Sequence, residues 1–274
     1  MILTTSDCIE WVSGTSRIIV TDHESSPIPE YTRFVCISDT HTRNFPVPDG
    51  DVLLHSGDLT DSGTLEEFEK TMDWICQLPH KIKIIIAGNH DLPLHADWYE
   101  LNHLRCSIAE QDHSRILDVL KGKKAQDANV VYLQDEFHSF QVKEGGRTWS
   151  VYGSPWSPEF CNWAFNYTAA EGPPLISRFL ISDILLTHGP PRNIFDRTTR
   201  RDFPGCRALS DALPRLRPRL HVFGHIHEAH GAHVHSWSKG HVGSVQNSKS
   251  SEPEPEPEEK EDISFRPVVV DMLD

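Results

Sequence analysis

Three short apolar runs, residues 34–37, 51–55 and 82–87, constrain this chain more than anything else in it. Each stops abruptly on polar groups: Ser38-Asp39-Thr40-His41, Ser56-Gly57-Asp58 and Gly88-Asn89-His90-Asp91. Apolar runs of this length, with a helical pattern between the second and third, predict buried strands of a largely parallel sheet. Ligands of such sheets bind at the carboxyl ends of the strands, where neighbouring ends face one crevice. Asp39, His41, Asp58, Asn89 and His90 are therefore expected to meet, and hard oxygen and imidazole donors of this kind suit divalent metals.

The rest of the chain sets limits. At 274 residues, one large α/β domain is expected. We place it at residues 33–274, after an N-terminal extension (1–32) in which residues 17–20 could form an edge strand. Net charge is −14, but the Glu/Pro-rich stretch from 251 to 262 holds −6 of it, leaving −8 for the remainder. That stretch cannot bury apolar area, so an insertion at about 248–262 is expected to be disordered. A body this acidic argues against an extended nucleic-acid surface or an anionic membrane as partner. A small phosphorylated substrate stays compatible, because bound divalent cations reverse the local field. Six scattered cysteines without a CxxC pair are not a disulfide scaffold, and no secretory signal or spanning segment is visible, so a cytoplasmic location is expected.

Further elements follow in order. Thr64 and Glu67 form a capping box, and Leu65, Phe68, Met72 and Ile75 predict a helix up to Pro79. Residues 92–124 are weakly helical, and strands are expected at 130–133, 139–142 and 148–152. Residues 154–180 read as a long irregular stretch whose aromatics (Trp156, Phe160, Trp163, Phe165, Tyr167) are core packing rather than a substrate wall. Residues 181–186 run apolar into His188, and a helix around Leu209–Leu216 must end or kink at Pro214. Residues 220–223 run into Gly224-His225-Ile226-His227, and a last strand is expected near 267–270.

Five strand ends thus carry Asp39/His41, Asp58, Asn89/His90, His188 and His225/His227. Each alone reads as an ordinary polar turn; together they end apolar runs and interrupt none. Their order resembles that of the calcineurin-like metallophosphoesterases: DxH at Asp39-Thr40-His41, GDxxD at Gly57 to Asp61, GNH followed by Asp at Gly88 to Asp91, the lone His188, and GHxH at Gly224 to His227. Within that family the chain looks similar to the small metallophosphoesterase-domain-containing proteins, through Tyr152-Gly-Ser-Pro-Trp156, Trp163-Ala-Phe-Asn166 and Thr187-His-Gly-Pro-Pro191. Some members of that subgroup have Gly where this chain keeps His225.

The resemblance implies two mixed β-sheets packed as a sandwich and flanked by helices. It implies two divalent ions (Mn, Fe or Zn, with Mn favoured): one on Asp39, His41 and His227, the other on Asn89, His188 and His225, with Asp58 between them. A metal-bridging hydroxide would attack phosphorus in line. His90, oriented by Asp91, would serve the leaving oxygen, and Asp61 would orient a ligand from behind. The implied activity is a phosphodiesterase on a nucleotide-type or other small diester; a phosphomonoesterase or protein phosphatase, and a low-turnover nucleotide-binding scaffold, remain alternatives. Arg43, Arg200 and Arg201 are candidates for gripping phosphate oxygens, against the plainer reading of a solvated basic loop. His55 reads as a hydrogen-bonded core residue, and His230, His233, His235 and His241 as exposed loop histidines.

Overall fold

The computed structural model describes residues 9–13, 16–21, 30–106, 109–233, 235 and 267–273. Its strands are β1 (Ile9–Ser13), β2 (Ser16–Thr21), β3 (Tyr31–Ile37), β4 (Val52–His55), β5 (Ile82–Ile86), β6 (Val130–Leu133), β7 (Glu136–Phe140), β8 (Trp149–Ser154), β9 (Ser157–Pro158), β10 (Asn166–Tyr167), β11 (Ile184–Thr187), β12 (Leu220–Val222) and β13 (Val268–Leu273). Its helices are α1 (Leu65–Gln77), α2 (Ala96–Asn102), α3 (His113–Lys121), α4 (Lys123–Asp127), α5 (Gly172–Ser177) and α6 (Arg207–Leu216).

β3, β4, β5 and β6 run parallel, and β13, β2 and β1 extend them antiparallel into one mixed sheet ordered β1-β2-β13-β3-β4-β5-β6. A second mixed sheet, β12-β11-β8-β7, has β12, β11 and β8 parallel. The sheets face each other across Phe34, Cys36, Val52, Leu54, Ile84 and Ile86 on one side and Trp149, Val151, Ile184 and Leu186 on the other. The opposite face of the first sheet packs Val35, Leu53 and Ile85 against Phe68, Met72 and Ile75 of α1 and Ile116 and Leu120 of α3. β3 is buried along its whole length on both faces, which is why residues 34–37 show a continuous apolar run and no alternation. The outer face of the second sheet meets α5 and α6 through Tyr152, Leu185, Ile176, Leu209 and Leu213. The expected sandwich flanked by helices is the fold found.

Several local expectations change. Residues 17–20 lie in β2, which pairs with β1 on one side and β13 on the other; the strand is interior because the far end of the chain returns to cover it. The strand expected at 139–142 sits at Glu136–Phe140, in register with β8 through Phe140 opposite Trp149. Residues 154–180 are not irregular throughout: they hold the β9–β10 ribbon and α5. α6 continues two residues past Pro214 and ends at Arg217 in the left-handed region. The Thr64–Glu67 capping box forms as expected, and His55 is fully buried between Thr40 and the Gly57 amide. The Glu/Pro-rich stretch and His241 lie outside the described residues. Among the described residues no helix is long and apolar enough to cross a membrane.

β13 is tied to β3 by Arg33, whose guanidinium donates to both oxygens of Asp271 at 2.8 and 2.7 Å, with both side chains almost wholly buried. Removing one member of such a pair strands the other's charge. Asp271→Ala is therefore expected to destabilise the fold by about 3–5 kcal/mol, read as a lower denaturant midpoint at unchanged slope.

Candidate metal centre

The parallel runs point the carboxyl ends of β3, β4, β5, β11 and β12 toward one end of the sandwich, and backbone bonds stitch the turns that follow. Asp39 and His41 amides donate to the Gly57 and Asp58 carbonyls (2.9 and 3.1 Å), and the Gly224 amide donates to the His188 carbonyl (3.0 Å). Close approach sets the glycines. Gly57 sits at φ +102°, where an added Cβ would lie 2.6 Å from both the Ala87 carbonyl and His188 Nδ1. A Cβ on Gly224 would collide with Ser38 Oγ and the Asp39 carboxylate. Asp39, His41, Thr42, Asp58 and His225 all hold positive φ, between 45° and 74°. Non-glycine residues seldom adopt this conformation, and its concentration here is strain stored where side chains must be aimed.

Asp39, His41, Asp58 and His227 each offer a ligand atom, all within 4.8 Å of one another. His41 Nε2 and His227 Nε2 lie 3.4 Å apart, His227 Nε2 is 3.3 Å from Asp39 Oδ1, and His41 Nε2 is 3.7 Å from Asp58 Oδ2. On the other side of Asp58, its Oδ1 is 3.5 Å from His188 Nε2, which is also 2.9 Å from Asn89 Oδ1. The His225 ring lies edge-on to His188 at 5.0 Å, and its amide donates to both Asp39 oxygens at 3.1 Å. Asp39, His41 and His227 thus gather on one side of the buried Asp58 carboxylate and His188 and Asn89 on the other, with the His225 ring beside His188.

The electrostatics favour the ionised form of the central carboxylate. Burial opposes ionisation of Asp58, yet the positive potential of His188, His90 and His41 holds its carboxyl far below the usual range. Burial likewise opposes the His188 charge, but Asp58 and Asp39 lift it to about 9. His225, half-buried and beside His188, falls to about 4 as desolvation and the His188 charge disfavour its protonation. His188 Nδ1 is 2.9 Å from the Ser56 carbonyl and so carries its hydrogen there, which leaves Nε2 as the nitrogen whose lone pair could face a cation. Two imidazole nitrogens in mutual contact between two carboxylates, and a backbone carbonyl fixing the tautomer of a third, fit divalent metal ions.

His90 turns away from Asn89. Its Nδ1 meets the Asp61 backbone carbonyl at 2.7 Å, and its ring stands edge-on to His41 at 4.7 Å. Asp91 does not orient it. The Asp91 carboxylate is buried and accepts from the Leu59, Thr60 and Gly88 amides and from Thr60 Oγ1, at 2.7–3.1 Å, stapling the turn after β4 to the turn after β5. Burial, reinforced by the charge of Asp58, raises it to about 7. The Asp61 side chain stands 3.8 Å from His41 Nδ1, while its carbonyl serves His90. Residues 154–180 deliver an unexpected neighbour: Trp163 stacks on His90 with ring centroids 4.4 Å apart. Phe165 and Tyr167 are core, as expected. Arg43, Arg200 and Arg201 are exposed; the loop of the latter two reaches the rim, where Thr199 approaches Glu228, the residue after His227. His230, His233 and His235 are exposed.

A family model described as calcineurin-like phosphoesterase matches residues 32–229. The chain belongs to the calcineurin-like phosphoesterase family, a family of metal-dependent phosphoric ester hydrolases. It is 39% identical over 224 residues to metallophosphoesterase domain-containing protein 1 of Homo sapiens and of Mus musculus, a match covering 76% of this chain and 64% of theirs. It is 37% identical over 207 residues to a probable rhamnogalacturonate lyase C of Emericella nidulans, covering 75% of this chain and 18% of that protein. The chain therefore spans somewhat under two thirds of the first two relatives and a small part of the third.

Two neutral histidines, His55 fully buried and His221 half-buried, give this end of the fold a pH limit. Burial holds His55 down to about 4 and His221 down to about 3, whereas the unfolded chain protonates them near 6.5. Between 6.5 and those values the unfolded state binds more protons, so stability falls as pH falls. From pH 7 to pH 5 the metal-free protein should lose about 2 kcal/mol for each of the two. His221→Gln should flatten that slope by one residue's share in denaturant titrations; an unchanged slope contradicts it.

Proposed function

We propose that this chain is a metal-dependent phosphoric ester hydrolase, acting on a small phosphodiester of nucleotide type. The observation that carries the reading is the convergence of donors from five strand ends on one buried carboxylate whose two oxygens face different histidines, His188 and His41. Asp39, His41 and His227 would hold one ion and Asn89, His188 and His225 the other, with Asp58 shared. Two divalent ions there, manganese being the pair to test first, would lower the pKa of water and neutralise charge on phosphoryl oxygens.

The chain's own residues do the rest. With Nδ1 on the Asp61 carbonyl, His90 keeps Nε2 for proton transfer. As a water oxygen bonds to phosphorus and releases its proton to solvent, the ester P–O bond breaks. The departing oxygen keeps the electron pair and takes a proton from Nε2 of the imidazolium form of His90, whose Nδ1 hydrogen stays on the Asp61 carbonyl; solvent then returns the proton to Nε2. Arg43, Arg200 and Arg201 would meet phosphate oxygens at the rim. The acidic body favours a small substrate over a polynucleotide, and a cytoplasmic setting fits the free thiols of Cys36, Cys76, Cys106, Cys161 and Cys206.

Metal analysis followed by assay of a phosphodiester and a phosphomonoester with Mn, Fe and Zn tests the reading, and preference for the monoester would overturn the substrate assignment. Asp58→Asn is expected to lose metal and activity together; an active, metal-replete variant contradicts the shared-ligand role. His90→Ala should keep its metal and lose about 10²–10⁴ in kcat. Because His188 must shed the proton it holds below about 9 before it can ligate, metal affinity should weaken as the pH is lowered from 9.

A further inference from the structure

We propose that Trp163 is a positioning residue for His90, holding the imidazole by its face while Asp61 holds it by one nitrogen. This rests on the reading of His90 as the proton donor to the leaving group. A single hydrogen bond from Nδ1 leaves an imidazole free to swing about that bond, and the torsion joining the ring to its Cβ is intrinsically broad. Contact over the ring face removes that freedom. Trp163 lies over His90 at 4.4 Å with the planes 29° apart, and the His41 and His90 rings meet edge-on at 4.7 Å. The ring that must present Nε2 is thereby located along its edge and across its face.

The loop that brings Trp163 there is built for placement. The β9–β10 ribbon closes its base, with Ser157 opposite Asn166. Asn166 Oδ1 accepts the amides of both Phe160 and Trp163, at 3.1 and 3.0 Å. Cys161 and Asn162, the two residues before Trp163, both hold positive φ (53° and 50°), a costly arrangement for side-chain-bearing residues. From across the cleft, Arg105 donates to the Asn162 carbonyl at 2.5 Å. His95 Nδ1 accepts the Phe165 amide at 2.9 Å while its ring stacks on Phe165 at 4.9 Å. A tryptophan serving only as cover needs no such aim.

The test uses the metal-loaded protein and aryl phosphate esters of graded leaving-group acidity, 4-nitrophenyl against phenyl. Trp163→Ala should keep its metal and its KM. It should lose about ten- to a hundredfold in kcat on the phenyl ester, and far less on the nitrophenyl ester, whose leaving group needs no proton. Trp163→Phe should restore most of the loss, and adding Trp163→Ala to His90→Ala should cost nothing more. A loss equal on both esters, confined to KM, or additive with His90→Ala overturns the proposal. If His90→Ala itself shows no leaving-group dependence, the reading of His90 fails and Trp163 with it; if His90→Ala shows it and Trp163→Ala does not, Trp163 alone fails. Should the alanine variant not fold, Trp163→Leu, which fills the space without an aromatic face, carries the same comparison.

Discussion

Asp58 is a buried carboxylate in the turn after β4, its carboxyl held well below the usual range, and the site end of the sandwich is arranged to keep it so. Burying a charge is costly unless it is compensated. Here compensation arrives from three directions: His188 from the second sheet, His41 from the turn after β3, and the His90 amide, which donates to Oδ1 at 2.8 Å. Each of these groups belongs to a different strand end. The carboxylate therefore ties turns of both sheets together, one oxygen toward His188 and the other toward His41.

That constraint explains the backbone around it. Asp58 itself holds φ 52°, and the chain passes so close to His188 that only glycine fits at position 57. Asp91 works one layer further out. Its four hydrogen bonds go to backbone amides and a hydroxyl rather than to any ring, and they keep the turns after β4 and β5 from parting. Strain in the turns is thus held by buried hydrogen bonds, the usual cost of pre-aimed side chains.

Much of this architecture is legible in the amino-acid pattern alone. The strands ahead of Asp39, Asp58, Asn89 and His188 announce themselves as apolar runs because they are buried on both faces, and Thr64 and Glu67 mark α1 through purely local chemistry. Other features depart from their sequence pattern for identifiable reasons. Adjacency suggests that Asp91 serves His90, but neighbouring side chains leave the backbone in different directions, and this one turns inward. Residues 17–20 look like an edge because nothing nearby in sequence pairs with their second side; β13 supplies it from the far end of the chain. Trp163 sits in an aromatic-rich stretch where packing is the ordinary role, and nothing local distinguishes the ring that reaches His90 from those that fill the core.

By itself, the sequence determined which side chains could act: carboxylates, an amide and imidazoles placed where buried strands end, with glycines where chains must cross closely. Only the tertiary structure decided how they are aimed. The groups that do the aiming are the Ser56 carbonyl on His188, the Asp61 carbonyl on His90, and the face of one tryptophan among seven. Backbone carbonyls are the same at every residue, so no sequence pattern can single them out. A stacking partner 73 positions away in the chain becomes a neighbour only when two loops fold across the same cleft.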